Sequence, residues 1–442
     1  MIRQDGTLSR LSLFNFFCIM SIFKIKFPFL AVLVFGFTLS SFAQIDTVQQ
    51  VNLKAENSIL QQQKPYVVLI SIDGFRWDLA DKYKAKNLLA LREKGVQAEY
   101  MQSSFPSLTF PNHYTIVTGL YPAHHGVVDN IFYDKTRAVL YRKSDKKMAV
   151  DSSWYKGKPL WILAEEQQML SAVFYWPGSE ISMNGIRPTY YYNYNETIPV
   201  NRRVAIMGEW FRMPPERRPH FFAVYFPQVD KAAHRFTAES EQTRMAVQEV
   251  DEAIGKLVEL VGKTGLPVNF VVVSDHGMTA IDRENTIPLP KVLQGDRFIV
   301  PPGNAMLHVY ARDKKDIKPV YRSLKATAKN YTVYRSSQIP KAWNYNRKED
   351  WYKRVGDLIL IPQLPNVFSV NGIKPDPGQH GFDPAIPDMH AVFYAWGPQL
   401  KEGAKIPAFE NVHVYPFIAR LLGLDYTHKI DGKEKVLLPL IK

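Results

Sequence analysis

The chain has 442 residues, 46% apolar and 13% aromatic, with a formal charge of +13. It is too hydrophobic for a disordered polyelectrolyte and long enough to bury a large core, as one domain with insertions or one domain plus a small cap. Its single cysteine, Cys18, excludes a disulfide-stapled scaffold; its Lys/Arg residues form no dense block, so the basic surface suits small anions such as nucleotides and no stable nucleic-acid complex is expected.

Met20 to Lys26 is a short basic region, Phe27 to Leu39 is almost wholly apolar, and Ser41-Phe42-Ala43 resembles a small-x-small cleavage site. The pattern predicts an N-terminal extension and signal peptide over 1–43, hence an exported protein, periplasmic or secreted. The apolar run is too short for a membrane span, so none is expected in the mature chain. Cleavage there also removes Cys18, and the basic balance survives the loss of four Lys/Arg and one Asp.

Residues 44–64, with Gln49-Gln50 and Gln61-Gln62-Gln63, read as a loose polar leader into a domain over 65–442. Tyr66 to Ile72 is a continuous apolar run that suits a strand buried on both faces of a parallel sheet, and it ends at Asp73-Gly74. A short helix follows over Asn87 to Gly95. Thr109-Phe110-Pro111 then opens a run that stops at Gly119, which predicts a helix with Thr109 at its N-terminus. There the unpaired N–H groups and the helix dipole favour a phosphoryl group or a partly ionised hydroxyl.

The strand pattern recurs at Phe221 to Phe226, before Asp230 and His234, and at Asn269 to Ser274, before Asp275-His276. Between them Val247, Val250, Ile254, Leu257 and Val261 recur every three or four residues, predicting an amphipathic helix over about 239–261. Late in the chain Gly378-Gln379-His380-Gly381-Phe382-Asp383 precedes a strand at Ala391 to Ala395. Strands alternating with helices predict an α/β fold, a doubly wound, mostly parallel sheet with helices on both faces. Two stretches fit poorly, 131–215 and 283–375, and read as insertions that wall or cap a site.

The polar residues after the strands, Asp73, Asp230, His234, Asp275, His276 and His380, form a mixed N/O donor set sufficient for two zinc ions. Singly, each has an ordinary reading as a turn aspartate or a hydrogen-bonded histidine, and that reading is given to His113, His124, His125, His220, His308, His390, His413 and His428.

Over residues 65–425 the sequence closely resembles the nucleotide pyrophosphatase/phosphodiesterase family of the alkaline phosphatase superfamily. The likeness rests on Asp73-Gly74, Thr109-Phe110-Pro111-Asn112-His113, Thr118-Gly119-Leu120-Tyr121-Pro122, His125-Gly126, Asp129-Asn130, Trp176-Pro177-Gly178-Ser179, Asp230 with His234, Ser274-Asp275-His276-Gly277-Met278 and His380-Gly381-Phe382-Asp383. The resemblance implies one zinc on Asp230, His234 and His380, and a second on Asp73, Asp275, His276 and the Thr109 oxygen. It implies Thr109 as nucleophile, a phosphothreonine intermediate, and the Asn130 amide on a phosphoryl oxygen. It also implies a base held by Phe110 and Tyr194, with Glu180 near its exocyclic amine; Trp176 is counted with this substrate-binding set. The expected substrates are nucleotide phosphodiesters and pyrophosphates, releasing a nucleoside monophosphate. The alternatives are an alkaline phosphomonoesterase, a lipid-type phosphodiesterase, or a non-catalytic nucleotide- or polyanion-binding protein; no sulfatase motif stands at Thr109. The sequence carries no signal for oligomeric state.

Overall fold

The computed structural model describes residues 47–370 and 372–442. The signal-peptide expectation, on 1–43, lies outside them. Among the described residues no helix is long and apolar enough to cross a membrane.

A nine-stranded sheet organises the fold. Its spatial order is Gln49–Val51, Tyr190–Tyr192, Ser171–Phe174, Phe221–Phe226, Tyr66–Ile72, Val268–Val273, Phe393–Trp396, Val96–Ala98 and Ala404–Ile406. The strands from Tyr190–Tyr192 to Val268–Val273 are mutually parallel, whereas Phe393–Trp396 runs antiparallel to both its neighbours. Every residue of Tyr66–Ile72 is buried, as the uninterrupted apolar run requires of a central parallel strand.

The pleat sends alternate residues of that strand into two cores. Val67 and Leu69 face a core shared with Ile116 and Val117 of helix Thr109–Thr118 and with Phe417 and Leu421 of helix Val414–Leu422. Val68, Ile70 and Ile72 face the other, with Val204 and Met207 of helix Val200–Phe211 and Val247, Val250 and Ile254 of helix Glu241–Gly262. Helices thus cover both faces, as predicted. The long helix starts one residue after Ser240, whose hydroxyl accepts from the Thr243 N–H as an N-cap. Its Asp251 carboxylate in turn accepts from the Asn87 and Leu88 N–H groups at 3.1 and 2.8 Å, capping helix Lys86–Glu93 from outside, since that helix has no side-chain cap of its own.

Two stretches depart from the sequence expectation. The 131–215 stretch is not wholly an insertion: Ser171–Phe174 and Tyr190–Tyr192 are strands of the main sheet, and helices Leu160–Glu166 and Val200–Phe211 pack on it. Only its beginning, the hairpin Ile131–Asp134 with Val139–Arg142, pairs outside the main sheet, and even there Phe132 and Tyr141 join the main core. The leader is not loose, because Gln49–Val51 pairs with Tyr190–Tyr192 as an edge strand and the Asn57 amide donates to the Pro215 and Arg218 carbonyls at 2.8 and 2.6 Å. Its polar side chains serve buried carbonyls, which polarity alone does not reveal. The 283–375 stretch does form a body of its own, a four-stranded antiparallel sheet in the order Phe298–Ile299, Leu307–Ala311, Leu358–Pro362 and Tyr331–Arg335. Helix Ile317–Thr327 closes its separate core through Val320 and Leu324.

Candidate active site

The ends of three adjacent parallel strands assemble the site. Pairing of Ile72 with Phe226 and of Ser71 with Val273 brings Asp73, the segment after Phe226 and Asp275 to one edge of the sheet. Asp230 lies in the first turn of helix Gln228–Phe236 and His234 one turn on, so their side chains share a face, with Asp230 Oδ1 3.5 Å from His234 Nε2. Gly74 makes this closeness possible. Its φ is +66°, and a Cβ there would stand 2.9 Å from the Cα and Cβ of Asp230. Gly378 does the same opposite, where a Cβ would fall 2.0 Å from the Ala233 carbonyl oxygen, beside the loop that delivers His380.

Thr109 is the first residue of its helix and is nearly buried, with Oγ1 3.3 Å from His276 Nε2. His276 Nε2 lies 2.9 Å from Asp275 Oδ2 and 3.6 Å from Asp73 Oδ1. His380 Nε2 lies 3.0 Å from His234 Nε2 and 3.8 Å from Asp230 Oδ1. The ligand atoms of Asp230, His234 and His380 gather within 4.8 Å of one another, and so do those of Asp73, Asp230 and His276. Asp230 belongs to both groups. Asp275 joins the second through its contact with His276.

The donor set fits divalent cations on two further observations. Asp73 and Asp230 each present one buried carboxylate oxygen, Oδ1, without a hydrogen-bond partner. Such atoms cost free energy unless something charged meets them. All three histidines spend Nδ1 on a backbone carbonyl, His234 on Gly378 at 2.8 Å, His276 on Gly277 at 2.9 Å and His380 on Ser107 at 2.8 Å. That leaves each Nε2 facing inward, the orientation of a metal-ligating imidazole. The charges confirm the crowding. Burial, then the Asp230 and Asp275 carboxylates, push the Asp73 carboxyl well above the usual range. Burial also opposes ionisation of Asp275, but His276 and His113 overcome it and hold its carboxyl well below that range. Burial, then His276 and His234, drive His380 down toward its neutral form.

Asn130 accepts from the Phe110 N–H through Oδ1 at 3.3 Å, which leaves its Nδ2 as the donor. It shares with Thr109, Asp230, His234 and His380 a cavity of about 310 Å³ walled on the far side by Met306 of the 283–375 body. Phe110 is half-buried beside Thr109, with Lys143 Nζ 5.5 Å above its ring. Tyr194 is 46% exposed, its ring 6.2 Å from that of Tyr225, and Glu180 Oε1 accepts its N–H at 2.6 Å. Trp176 departs from expectation. It is buried, and its indole N–H donates to the His113 carbonyl at 3.1 Å, so it braces the helix that begins at Thr109 instead of offering a face to substrate.

Sequence reading missed two supports of the site. Tyr225 donates its hydroxyl to Asp73 Oδ2, from inside a run that reads simply as a buried strand. His113, one helical turn after Thr109, bonds the Thr109 carbonyl at 3.0 Å and Ser71 Oγ at 2.8 Å, and its Nδ1 lies 3.2 Å from Asp275 Oδ2. The i, i+4 spacing from Thr109 was the available signal.

A parallel α/β sheet with a buried threonine hydroxyl at a helix start, facing mixed Asp/His donors beyond its strand ends, is the arrangement of a class of metal-assisted hydrolase sites. Residues 67–383 match the family described as type I phosphodiesterase / nucleotide pyrophosphatase, and the chain belongs to that family. It is 35% identical over 384 residues to a pyrophosphatase/phosphodiesterase of Schizosaccharomyces pombe, covering 81% of this chain and 77% of that one. It is 33% identical to ectonucleotide pyrophosphatase/phosphodiesterase family member 1 of Mus musculus, with 82% of this chain matching only 41% of that longer protein. Among solved structures, murine ectonucleotide pyrophosphatase/phosphodiesterase 5 superposes with a TM-score of 0.78 at 27% identity, over 85% of this chain and all of that one. An inactive threonine-to-alanine form of the same murine protein, in complex with AMP, aligns with a TM-score of 0.79 at 27% identity, over 86% of this chain and all of that one.

Proposed function

We propose that the chain hydrolyses phosphodiester and pyrophosphate bonds of nucleotides outside the cytoplasm, releasing nucleoside 5′-monophosphates through a phosphothreonine at Thr109. The carrying observation is the placement of Thr109 Oγ1, at a helix N-terminus and 3.3 Å from the innermost ligand nitrogen of His276. Two zinc ions suit the donor set, one on Asp230, His234 and His380 and the other on Asp73, Asp275, His276 and Thr109 Oγ1, with the Asp230 carboxylate within reach of the second group as well. Bound there, zinc supplies the positive charge that makes an alcohol oxygen nucleophilic near neutral pH and offsets the clustered carboxylates.

The chain's own groups do the rest. Thr109 Oγ1 gives up its proton and attacks phosphorus while the bond to the leaving alcohol or phosphate breaks, so the threonine holds the phosphoryl group with its nucleoside still attached; water then attacks the same phosphorus, releases the nucleoside 5′-monophosphate and returns the hydroxyl to Thr109. Asn130 Nδ2 and the N–H groups at the helix start stabilise charge on the equatorial oxygens. His113 and Trp176 fix the helix that carries Thr109, and Tyr225 holds the Asp73 carboxylate in orientation. Phe110 and Tyr194 supply ring faces for a base, which supports the nucleotide reading. The names of relatives support an extracellular setting, since they include a venom phosphodiesterase and ectonucleotide enzymes.

Thr109→Ala tests the covalent route on a nucleotide nitrophenyl diester. Turnover should fall by about 10³-fold or more with metal content unchanged. Wild-type turnover in a variant that still binds two metals would rule the phosphothreonine out.

A further inference from the structure

A second cavity, of about 580 Å³, lies in the 283–375 body where it meets the turn of the Ile131–Arg142 hairpin. Six cations line it: Lys135 from that turn, Lys314 and Lys318 at the start of helix Ile317–Thr327, Arg335 at the end of strand Tyr331–Arg335, and Arg347 and Lys353 from the segment that leads into Leu358–Pro362. Two carboxylates share the lining, and both are engaged. Asp350 accepts from the Arg354 and Val355 N–H groups at 2.8 and 3.0 Å, and Asp357 from Lys135 and the Ala311 N–H at 2.5 and 2.8 Å. The acids beside the helix start are also engaged, Asp313 with Lys315 at 2.9 Å and Asp316 with Arg297 at 3.6 Å.

Among the described residues, then, Lys314, Lys318, Arg335, Arg347 and Lys353 converge on one concavity without an ion-pair partner. The Arg335 Nε is moreover buried with no hydrogen-bond partner. A merely solvated basic face spreads its charges and pairs many of them, as this protein does elsewhere. Gathering five unpaired cations raises their mutual repulsion, a cost that an occupying anion removes. The start of the eleven-residue helix, which carries Lys318, adds the positive end of its dipole. Backbone bonds keep the walls in place, from Arg347 N–H to the Ser336 carbonyl at 2.8 Å and from Ser336 N–H to the Asp357 carbonyl at 3.0 Å.

We propose that this cleft is a binding site for a compact anion bearing several phosphate or sulfate esters, separate from the cavity that holds Thr109. Two guanidinium groups line the cleft, that of Arg347 and that of Arg335, which lies 4.7 Å over the Tyr321 ring, and they suit the planar recognition of such groups, while the lysines add charge.

The test uses the full zinc-loaded chain with AMP present to fill the Thr109 cavity, titrated calorimetrically with inositol hexasulfate at about 0.15 M salt, where distant charges are screened. A parallel arm uses inositol hexakisphosphate with zinc buffered, to separate sulfate from phosphate preference. Saturable binding at one site per chain is expected in at least one arm. Arg335→Gln with Arg347→Gln should weaken it about tenfold or more. Lys401→Gln with Lys405→Gln, which removes the same charge from an exposed edge far along the chain, should leave it within about twofold. No saturable binding in either arm, equal loss in both double variants, or binding by long sulfated polymers alone would overturn the proposal.

Discussion

Withdrawing the metal should lower the melting temperature of the folded unit, and Asp230 should decide by how much. Its Oδ1 is buried and unpartnered, and the residue is common to both groups of ligand atoms that close within 4.8 Å. A ligand held at about one hundred times its Kd stabilises the state that binds it by ~2.7 kcal/mol, so two filled groups contribute about 5.4 kcal/mol. For the compact unit Thr47–Lys442, an unfolding entropy of about 2.1 cal/mol/K per residue sums to roughly 0.8 kcal/mol/K. The ratio is a shift of about 6–7 °C. Calorimetric scans at fixed free zinc, before and after chelator, read it directly. His380→Ala spares the group of Asp73, Asp230 and His276, so about half the shift, ~3 °C, should survive. Asp230→Ala takes a ligand from both groups, and less than ~1 °C should remain. A full zinc shift in Asp230→Ala, or none in the wild type, would refute the reasoning.

At equal zinc loading, thymidine-5′-nitrophenyl phosphate should be hydrolysed about 100-fold faster than nitrophenyl phosphate, equivalent to ~2.7 kcal/mol of transition-state binding, and a reversed ratio moves the chain to the phosphomonoesterases. Gly74→Ala should cost ~1–2 kcal/mol of stability for its positive φ, read by urea melts in chelator, yet lose most zinc affinity because the new methyl displaces Asp230; unchanged zinc affinity sinks this account. Glu165 gives a pH signature away from the site. Burial raises its carboxyl from 4.5 to about 7, against the Ser171 and Thr189 groups that donate to it. The folded state therefore holds an extra proton between those values, and the stability this contributes is full below about 4.5 and gone above about 7. Glu165→Gln removes the titration, so its melting temperature should gain on the wild type from about pH 5 to about pH 8, and a constant difference would rule this out.

What the sequence made legible follows from which contacts are local. Tyr66–Ile72, Phe221–Phe226 and Val268–Val273 announce themselves as unbroken apolar runs because central parallel strands bury both faces. Once these three are neighbours, Asp73, Asp230 and Asp275 must converge, whatever the loops between them do. The same logic hides the rest. Ser171–Phe174 and Tyr190–Tyr192 are four and three residues long, within a stretch crowded with aromatics and prolines, so their place in the sheet comes only from their neighbours. Trp176 shows the limit at a single residue. An aromatic near a site reads as a substrate face, and only the His113 carbonyl 3.1 Å from its indole nitrogen makes it a strut. His308 shows the converse. It reads as an ordinary structural histidine, and its Nδ1 does bond the Val355 carbonyl at 2.7 Å, but its Nε2 reaches Asp129 Oδ2 at 3.1 Å and so ties the inserted sheet to the residue before Asn130. Roles carried by strand ends and helix starts are written in local pattern; roles carried by a partner hundreds of residues away exist only once the chain has folded.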